Sequence, residues 1–370
     1  MIALLGGITL YFARRTAQCV QYLLPRFPFW ASLAVFAVLT AVLAVGFVRS
    51  TMPLPPVLKS LLKVLSAYWM GAFVYLLLYL LAADIVVFAG WLVRIIPHPV
   101  PGAVRFASIL TALILTVSTC AYGFWHASHL HQKTYDVRLP GLEKEMTIAL
   151  ASDLHLGAVG SERRLGHTVE ALNAMDADII CLAGDLFDND FAAIEDPERA
   201  AQQLRSLAAK HGVYACLGNH DAGRTFDEMV SFLENCGVQL LSEAYTVIDG
   251  RLVLAGRADR SPIGGSRMRR GELSAVLNGA PEMPVVVMDH NPAKAEGYGS
   301  AADLVLSGHT HKGQIFPGSL ITGRMYAVDY GYGRLENGPQ IVVTSGAGTW
   351  GLPMRVGTDC EVVLVKLKPE

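Results

Sequence analysis

The sequence carries little charge. Only 17% of its 370 residues are Asp, Glu, Lys or Arg, and 30 basic against 32 acidic side chains leave a formal net charge of −2. A protein held to nucleic acid by its overall field needs a basic excess, so that class of partner is excluded. No basic stripe interleaved with aromatics, of the kind that holds single strands, stands in for that field. Cysteine is scarce too: Cys19, Cys120, Cys181, Cys216, Cys236 and Cys360 include no CxxC pair. That spacing supports neither a disulfide framework nor a zinc clip, and the thiols read as small buried apolar groups. A signal-peptide pattern is missing as well, because the first apolar run has no basic residues before it and no small-residue cleavage site after it. What is present in excess is apolar length. Hydrophobic residues make up 52% and mean hydropathy is +0.38, and almost all of the excess lies before residue 126.

Residues 2–13 are apolar but stop at Arg14-Arg15. That is short for a span and predicts a tilted or interfacial helix with both guanidiniums at the headgroups. Trp30–Val48 is long enough to cross. Lys59 and Lys63 then sit in a Pro-rich connector, followed by the apolar stretch Leu65–Ile96 with one carboxylate, Asp84. An ionisable group there is either functional, as in a transport path, or the mark of a kink or of a position near the headgroups. A last span covers Ala103–Trp125, with Trp125 as interface anchor. Flanking cations divide evenly, Arg14, Arg15, Arg26, Arg94 and Arg105 against Arg49, Lys59, Lys63, Lys133 and Arg138, so they assign no orientation. The expected organisation is a multi-pass chain of the cell (inner) membrane, partnered by the lipid bilayer. It has a transmembrane region over 1–126, a linker over 127–144 and an α/β domain over 145–370. His126, His129 and His131 read as linker residues rather than a metal site.

From Glu145 onward, strand-like runs alternate with helical ones. Met146–Ser152, Asp178–Ala183 and Val213–Leu217 read as strands, and Glu162–Met175 and Pro197–Lys210 as helices. This βαβαβ order predicts a largely parallel sheet with helices on its faces, which binds ligands beyond the carboxyl ends of its strands. Chemistry-bearing residues fall at those ends. The first run stops at Asp153-Leu154-His155, where residues i and i+2 share a face and bring a hard oxygen and an imidazole to one metal of the Zn, Mn or Fe type. The second leads to Gly184-Asp185-Leu186-Phe187-Asp188 and the third to Gly218-Asn219-His220-Asp221, with the glycines expected to make tight turns. Val285–Asp289 leads to His290, and Asp303–Ser307 to Gly308-His309-Thr310-His311. Together these ends hold enough Asp, Asn and His for two metal ions. His167 and His211 lie in helix-like surface patterns and read as structural.

The ordered set Asp-x-His, Gly-Asp-x-x-Asp, Gly-Asn-His-Asp, a lone His and Gly-His-x-His resembles the calcineurin-like metallophosphoesterase superfamily over roughly residues 145–368. The resemblance implies N-terminal transmembrane α-helices followed by an α/β metallophosphoesterase domain, a two-layer β-sandwich flanked by helices. It implies two divalent metal ions, Mn, Fe or Zn. Asp153, His155, Asp185 and His311 would hold the first, Asp185, Asn219, His290 and His309 the second, with Asp185 bridging. His220 resembles the family's general acid, held by Asp188. Two such ions clamp the attacking and leaving oxygens at phosphorus and acidify a bridging water to hydroxide.

The stretches His309–Ile315 and Ser345–Arg355 resemble the membrane-attached bacterial branch, which includes phosphodiesterases and UDP-2,3-diacylglucosamine pyrophosphohydrolases. Lys312 stands where that branch is expected to have Gly, and is read either as a contact to a second phosphate or as pointing to solvent. Arg355 is a candidate phosphate ligand or a structural ion pair. Arg257, Arg260, Arg267, Arg269 and Arg270 lie in a Gly- and Ser-rich segment that could meet anionic headgroups or a diphosphate. The expected function is hydrolysis of a phosphodiester or pyrophosphate bond in an amphipathic, possibly lipid-linked substrate. The alternative is a membrane sensor or scaffold with a metal-binding, weakly active site.

Overall fold

The computed structural model describes residues 2–48, 52–265 and 269–370; Arg49 and Arg267 lie outside the described residues. The chain divides into two compact units, Met1–Phe124 and Trp125–Glu370.

The first unit is helical: α1 (Ile2–Leu23), α2 (Phe29–Val48), α3 (Pro56–Leu92) and α4 (Gly102–His126). Three of these helices are long and apolar enough to cross a membrane: Phe29–Val48, Val57–Leu92 and Gly102–His126, with mean hydropathies of 2.5, 2.4 and 1.7. This is a multi-pass arrangement. α1 does not stop at Arg14-Arg15 as expected but runs on to Leu23, because Arg15 pairs with Asp84 and Tyr11 donates to the same carboxylate at 2.7 Å. That pairing answers the cost of an ionisable group in an apolar helix. Lys59 and Lys63 belong to α3 rather than to a connector. The extended Pro55 lies just outside the helix and a proline opens its first turn, where the missing N–H has no helical partner anyway.

The second unit contains β1 (Leu130–Leu139), β2 (Met146–Ala151), β3 (Ile179–Ala183), β4 (Val213–Cys216), β5 (Gln239–Leu240), β6 (Ala244–Ile248), β7 (Leu252–Gly256), β8 (Val285–Met288), β9 (Leu304–Ser307), β10 (Gly331–Arg334), β11 (Gln340–Val343) and β12 (Cys360–Pro369). They form two six-stranded sheets, ordered β1-β12-β2-β3-β4-β5 and β10-β11-β9-β8-β7-β6. Alternation assigns the layers. Ile148, Leu150, Ile179 and Cys181 meet Leu254, Met288, Leu306 and Val342 between the sheets. The opposite residues Ala149, Ala151, Ile180 and Leu182 pack under α5 (Ser161–Ala174), α6 (Pro197–Arg205) and α7 (Phe226–Asn235). The outer face of the second sheet is covered by residues including Leu273 of α8 (Leu273–Val276), Ala295 and Tyr298. This is the two-layer sandwich flanked by helices that the resemblance implies. The alternation βαβαβ by itself points only to one parallel sheet.

The stretch expected as a linker, 127–144, contains a strand. Residues 130–139 form β1, paired in parallel with β12 through ten registered positions. Its odd-numbered side chains turn inward, and Val137 and Leu139 are fully buried, each contributing roughly 1.5–3 kcal/mol of apolar burial. α6 also ends earlier than Lys210. Asp196 caps its start by accepting from Arg199 N at 3.0 Å, and Asn173 captures the chain just past its end, donating to Ser206 O and accepting from Ala208 N.

Candidate metal centre

Asp153 and His155 converge, but not as neighbours on a pleated strand. β2 ends at Ala151, and both residues lie beyond it in the left-handed region, φ +55° and +47°. Asp185, His309 and His311 repeat the conformation at φ +51°, +70° and +48°. Such backbone costs about 1–3 kcal/mol per residue and persists only where surrounding bonds enforce it. Here Asp153 N donates to Gly184 O at 2.9 Å and His155 N to Asp185 O at 3.0 Å, tying the loops after β2 and β3 together. Asp221 ties in the loop after β4, accepting from Gly218 N, Leu186 N and Phe187 N at 2.9, 3.1 and 2.7 Å. Sequence reasoning quoted Asp221 without a role. Its only sequence signal is its place directly after Gly-Asn-His.

Two of the motif glycines owe their identity to close approach rather than to tight turns. A Cβ on Gly218 would stand 2.2 Å from Asp185 Oδ1, and one on Gly308 would stand 2.1 Å from Ser152 Oγ.

The carboxylates are aimed by what holds their other oxygen. Asp185 Oδ1 accepts from His220 N at 2.8 Å, while Oδ2 lies 3.1 Å from His290 Nε2 and 3.9 Å from His155 Nε2. Asp153 Oδ2 is held by Ser152 Oγ and by His309 N at 3.1 Å, while Oδ1 lies 3.2 Å from His311 Nε2. His155 Nε2 and His311 Nε2 face each other at 3.2 Å. His290 Nδ1 lies 2.8 Å from Ala183 O, which leaves Nε2 for the centre. Two clusters result, Asp153–His155–His311 and Asp185–His290–His309, and both face Asp185. Asn219 Oδ1 is buried without a hydrogen-bond partner among the described residues. Opposed imidazole nitrogens, carboxylate oxygens and an orphaned amide oxygen in one buried place are what a pair of divalent cations would satisfy.

Electrostatics sort the imidazoles. Burial lowers His155 to about 3 and His309 to about 4, and His311 well below its usual value, with Arg355 adding to the last. All three are therefore neutral at pH 7, the ligand form. His290 is the exception: although burial opposes it, the adjacent Asp185 raises it well above the ordinary histidine value. Burial acts to raise Asp185 too, yet His290 brings it below the carboxylate range. Burial, with Asp185 nearby, raises Asp153 to about 6 and Asp221 to about 7.

His220 and Asp188 lie beside the clusters. Asp188 Oδ1 is 4.0 Å from His220 Nδ1 and 3.7 Å from His155 Nδ1, so it stands between the two rings. The His220 ring meets His155 edge-on at 5.0 Å and Trp350 at 5.9 Å. Trp350 lies in the Ser345–Arg355 stretch, where nothing local in the sequence marks it as a neighbour of His220.

The expected substrate cations fare differently. Arg355 is fully buried. It donates to the carbonyls of His311, Ser345 and Gly348 at 3.0, 2.7 and 2.6 Å, and its Nη2 lies 3.2 Å from His311 Nδ1. Of the two expected readings, phosphate ligand or structural ion pair, the geometry is nearer the structural one: the guanidinium holds loop carbonyls and pairs with no carboxylate among the described residues. Arg257, 1% exposed, pairs with Glu243 at 2.9 Å and donates to Gly271 O. Arg270 grips Asp289 at 2.6 and 3.1 Å. Those two arginines anchor their loop rather than offer it to an anion. Lys312 is partly exposed, with Nζ 4.1 Å from the centre of the Tyr330 ring.

Comparison with known proteins agrees with this geometry. Residues 146–313 match the family model described as calcineurin-like phosphoesterase. An uncharacterized metallophosphoesterase of Aquifex aeolicus is 31% identical over 260 residues, covering 69% of this chain and 98% of its own. An uncharacterized metallophosphoesterase of Helicobacter pylori is 31% identical over 246 residues, 64% of each chain. A Danio rerio protein described as a transmembrane protein with metallophosphoesterase domain is 29% identical over 285 residues, 71% of this chain and 63% of that one. The chain thus spans under two thirds of the Helicobacter and Danio relatives and nearly all of the Aquifex one. With its strand-end Asp and His residues gathered into two clusters, the chain belongs to the calcineurin-like metallophosphoesterase family.

Proposed function

We propose that the chain is a membrane-bound, dinuclear-metal phosphohydrolase that cleaves a phosphodiester or pyrophosphate bond in an amphipathic, lipid-linked substrate such as a UDP-diacylglucosamine-type molecule. The observation that carries the reaction class is Asp185, whose Oδ2 is directed at both His155 and His290 while its Oδ1 is held by backbone. Asp153, His155, Asp185 and His311 would hold one ion and Asp185, Asn219, His290 and His309 the other. Bound there, two Mn, Fe or Zn ions would supply Lewis acidity toward the phosphoryl oxygens and an acidified water.

His220 would protonate the departing oxygen. Its ring is 7% exposed and its Nδ1 has no hydrogen-bond partner. Asp188 sits at 4.0 Å as the group that steadies it. Lys312 remains the cation of the ligand loop available to a second phosphate.

The lipid part rests on α9 (Gly318–Met325), which begins seven residues after His311. It has no buried residue, and Leu320, Ile321 and Met325 are 52%, 61% and 67% exposed, with Phe316 at 51% just before it. The His309 ring lies 6.3 Å from Tyr326, the residue that ends the helix. An exposed apolar helix beside a polar metal centre suits a substrate with a phosphate at one end and a hydrocarbon at the other.

The test is turnover of bis-p-nitrophenyl phosphate and p-nitrophenyl phosphate by detergent-purified protein, stripped and reloaded with Mn, beside Asp185→Asn. Metal-dependent cleavage of the diester is expected, reduced on the order of 10³-fold in the variant, as when a group stabilising transition-state charge is removed. A fully metal-loaded protein that turns over neither ester would overturn the enzyme reading in favour of a sensor.

A further inference from the structure

We infer that the chain has a metal site separate from the dinuclear centre, built from His126, His131 and Asp359 and suited to a zinc-type divalent cation. The three residues come from distant places: His126 ends α4, His131 is the second residue of β1, and Asp359 immediately precedes β12. Strand pairing brings them together. The parallel register sets His131 opposite Glu361, and Asp359, two residues before Glu361, falls on the same side.

His126 Nε2 lies 2.9 Å from Asp359 Oδ1 and His131 Nε2 4.0 Å from the same oxygen. The three donor atoms all fall within 4.8 Å of one another. Ligands held tetrahedrally at ~2.0–2.2 Å stand about 3.3 Å apart, so small side-chain rotations bring this set to binding geometry. His131 Nε2 is buried and has no hydrogen-bond partner among the described residues, a state that is costly unless something engages it. The remaining histidine of the segment, His129, is turned away. Its Nδ1 lies 2.8 Å from Trp125 O and its ring 4.4 Å from the Trp125 ring.

Two imidazoles and a carboxylate, with a further position for water, select zinc-like ions over calcium or magnesium. Lys133 bears on affinity. Its Nζ lies 3.7 Å from Asp359 Oδ2, which leaves Oδ1 to the histidines but opposes a second positive charge. None of the three ligands takes part in the dinuclear centre.

The experiment is zinc counting by mass spectrometry on the full chain in detergent, stripped, reloaded with zinc and washed. Wild type should retain one zinc per chain more than His131→Gln or Asp359→Asn, while Asp185→Asn should keep this zinc and lose metal only from the dinuclear centre. Lys133→Gln should release it more slowly to a chelator, an effect that does not depend on deleting a ligand. Cobalt substitution gives a second readout, as visible absorption lost in His131→Gln and retained in Asp185→Asn. Equal zinc content in wild type, His131→Gln and Asp359→Asn, with Lys133→Gln unchanged in release, would overturn the site and leave only the His126–Asp359 hydrogen bond with His131 beside it.

Discussion

His290 differs from the other imidazoles of the centre in its partner. Facing Asp185 at 3.1 Å, it is raised well above the usual histidine range, so in the metal-free protein it holds a proton near neutrality. A metal must displace that proton. Affinity should therefore rise as pH rises toward the elevated value, with about one proton released per chain from this residue. Calorimetric titration of Mn between about pH 6 and 8, repeated in buffers of different ionisation enthalpy, checks both sign and stoichiometry. Arg355 makes a separate prediction. Replacing it with Met takes the donor from Ser345 O, at roughly 1–3 kcal/mol, and one donor each from the carbonyls of His311, which keeps Gln314 N and Thr358 Oγ1, and of Gly348, which keeps the weaker Cys360 Sγ. Arg355→Met should lower the thermal midpoint in detergent and weaken metal retention together. A raised KM at unchanged stability would instead restore the phosphate contact. The sequence showed a lone Arg after a Gly-rich run, and nothing local distinguishes a cage from a substrate ligand. That distinction depends on carbonyls brought in from residues 311, 345 and 348.

Among elements, α9 has the clearest expected effect. If its exposed Leu320, Ile321 and Met325 hold the hydrocarbon of the substrate, Ile321→Glu should reduce kcat/KM on a lipid-linked phosphodiester by about tenfold. That figure corresponds to roughly 1.4 kcal/mol, below the cost of stripping one large aliphatic contact. Turnover of bis-p-nitrophenyl phosphate should be unchanged, and equal loss on both substrates would assign α9 to folding. β1 illustrates what local pattern hides. Its residues carry polar side chains on alternate positions and follow a membrane helix, so they read as a tether. Only the partner strand β12, arriving more than two hundred residues later, makes Val137 and Leu139 core.

For the whole molecule, three helices of membrane length predict that the chain stays in the membrane pellet through alkaline carbonate and high salt and leaves it only with detergent. Release by salt alone would contradict the multi-pass arrangement. The sequence by itself determined the apolar helices, the βαβαβ core and the candidate ligand residues, because hydropathy, period and the placement of Asp, Asn and His at strand ends are local properties. It also determined the family, since the motif order survives without knowledge of contacts. Tertiary structure alone decided the remaining questions. Asp84 is paired with Arg15, Arg257 and Arg355 are internal anchors, His131 meets Asp359, and Asp188 stands between two rings. Each of these rests on a distance between residues far apart in the chain, which composition and spacing do not contain.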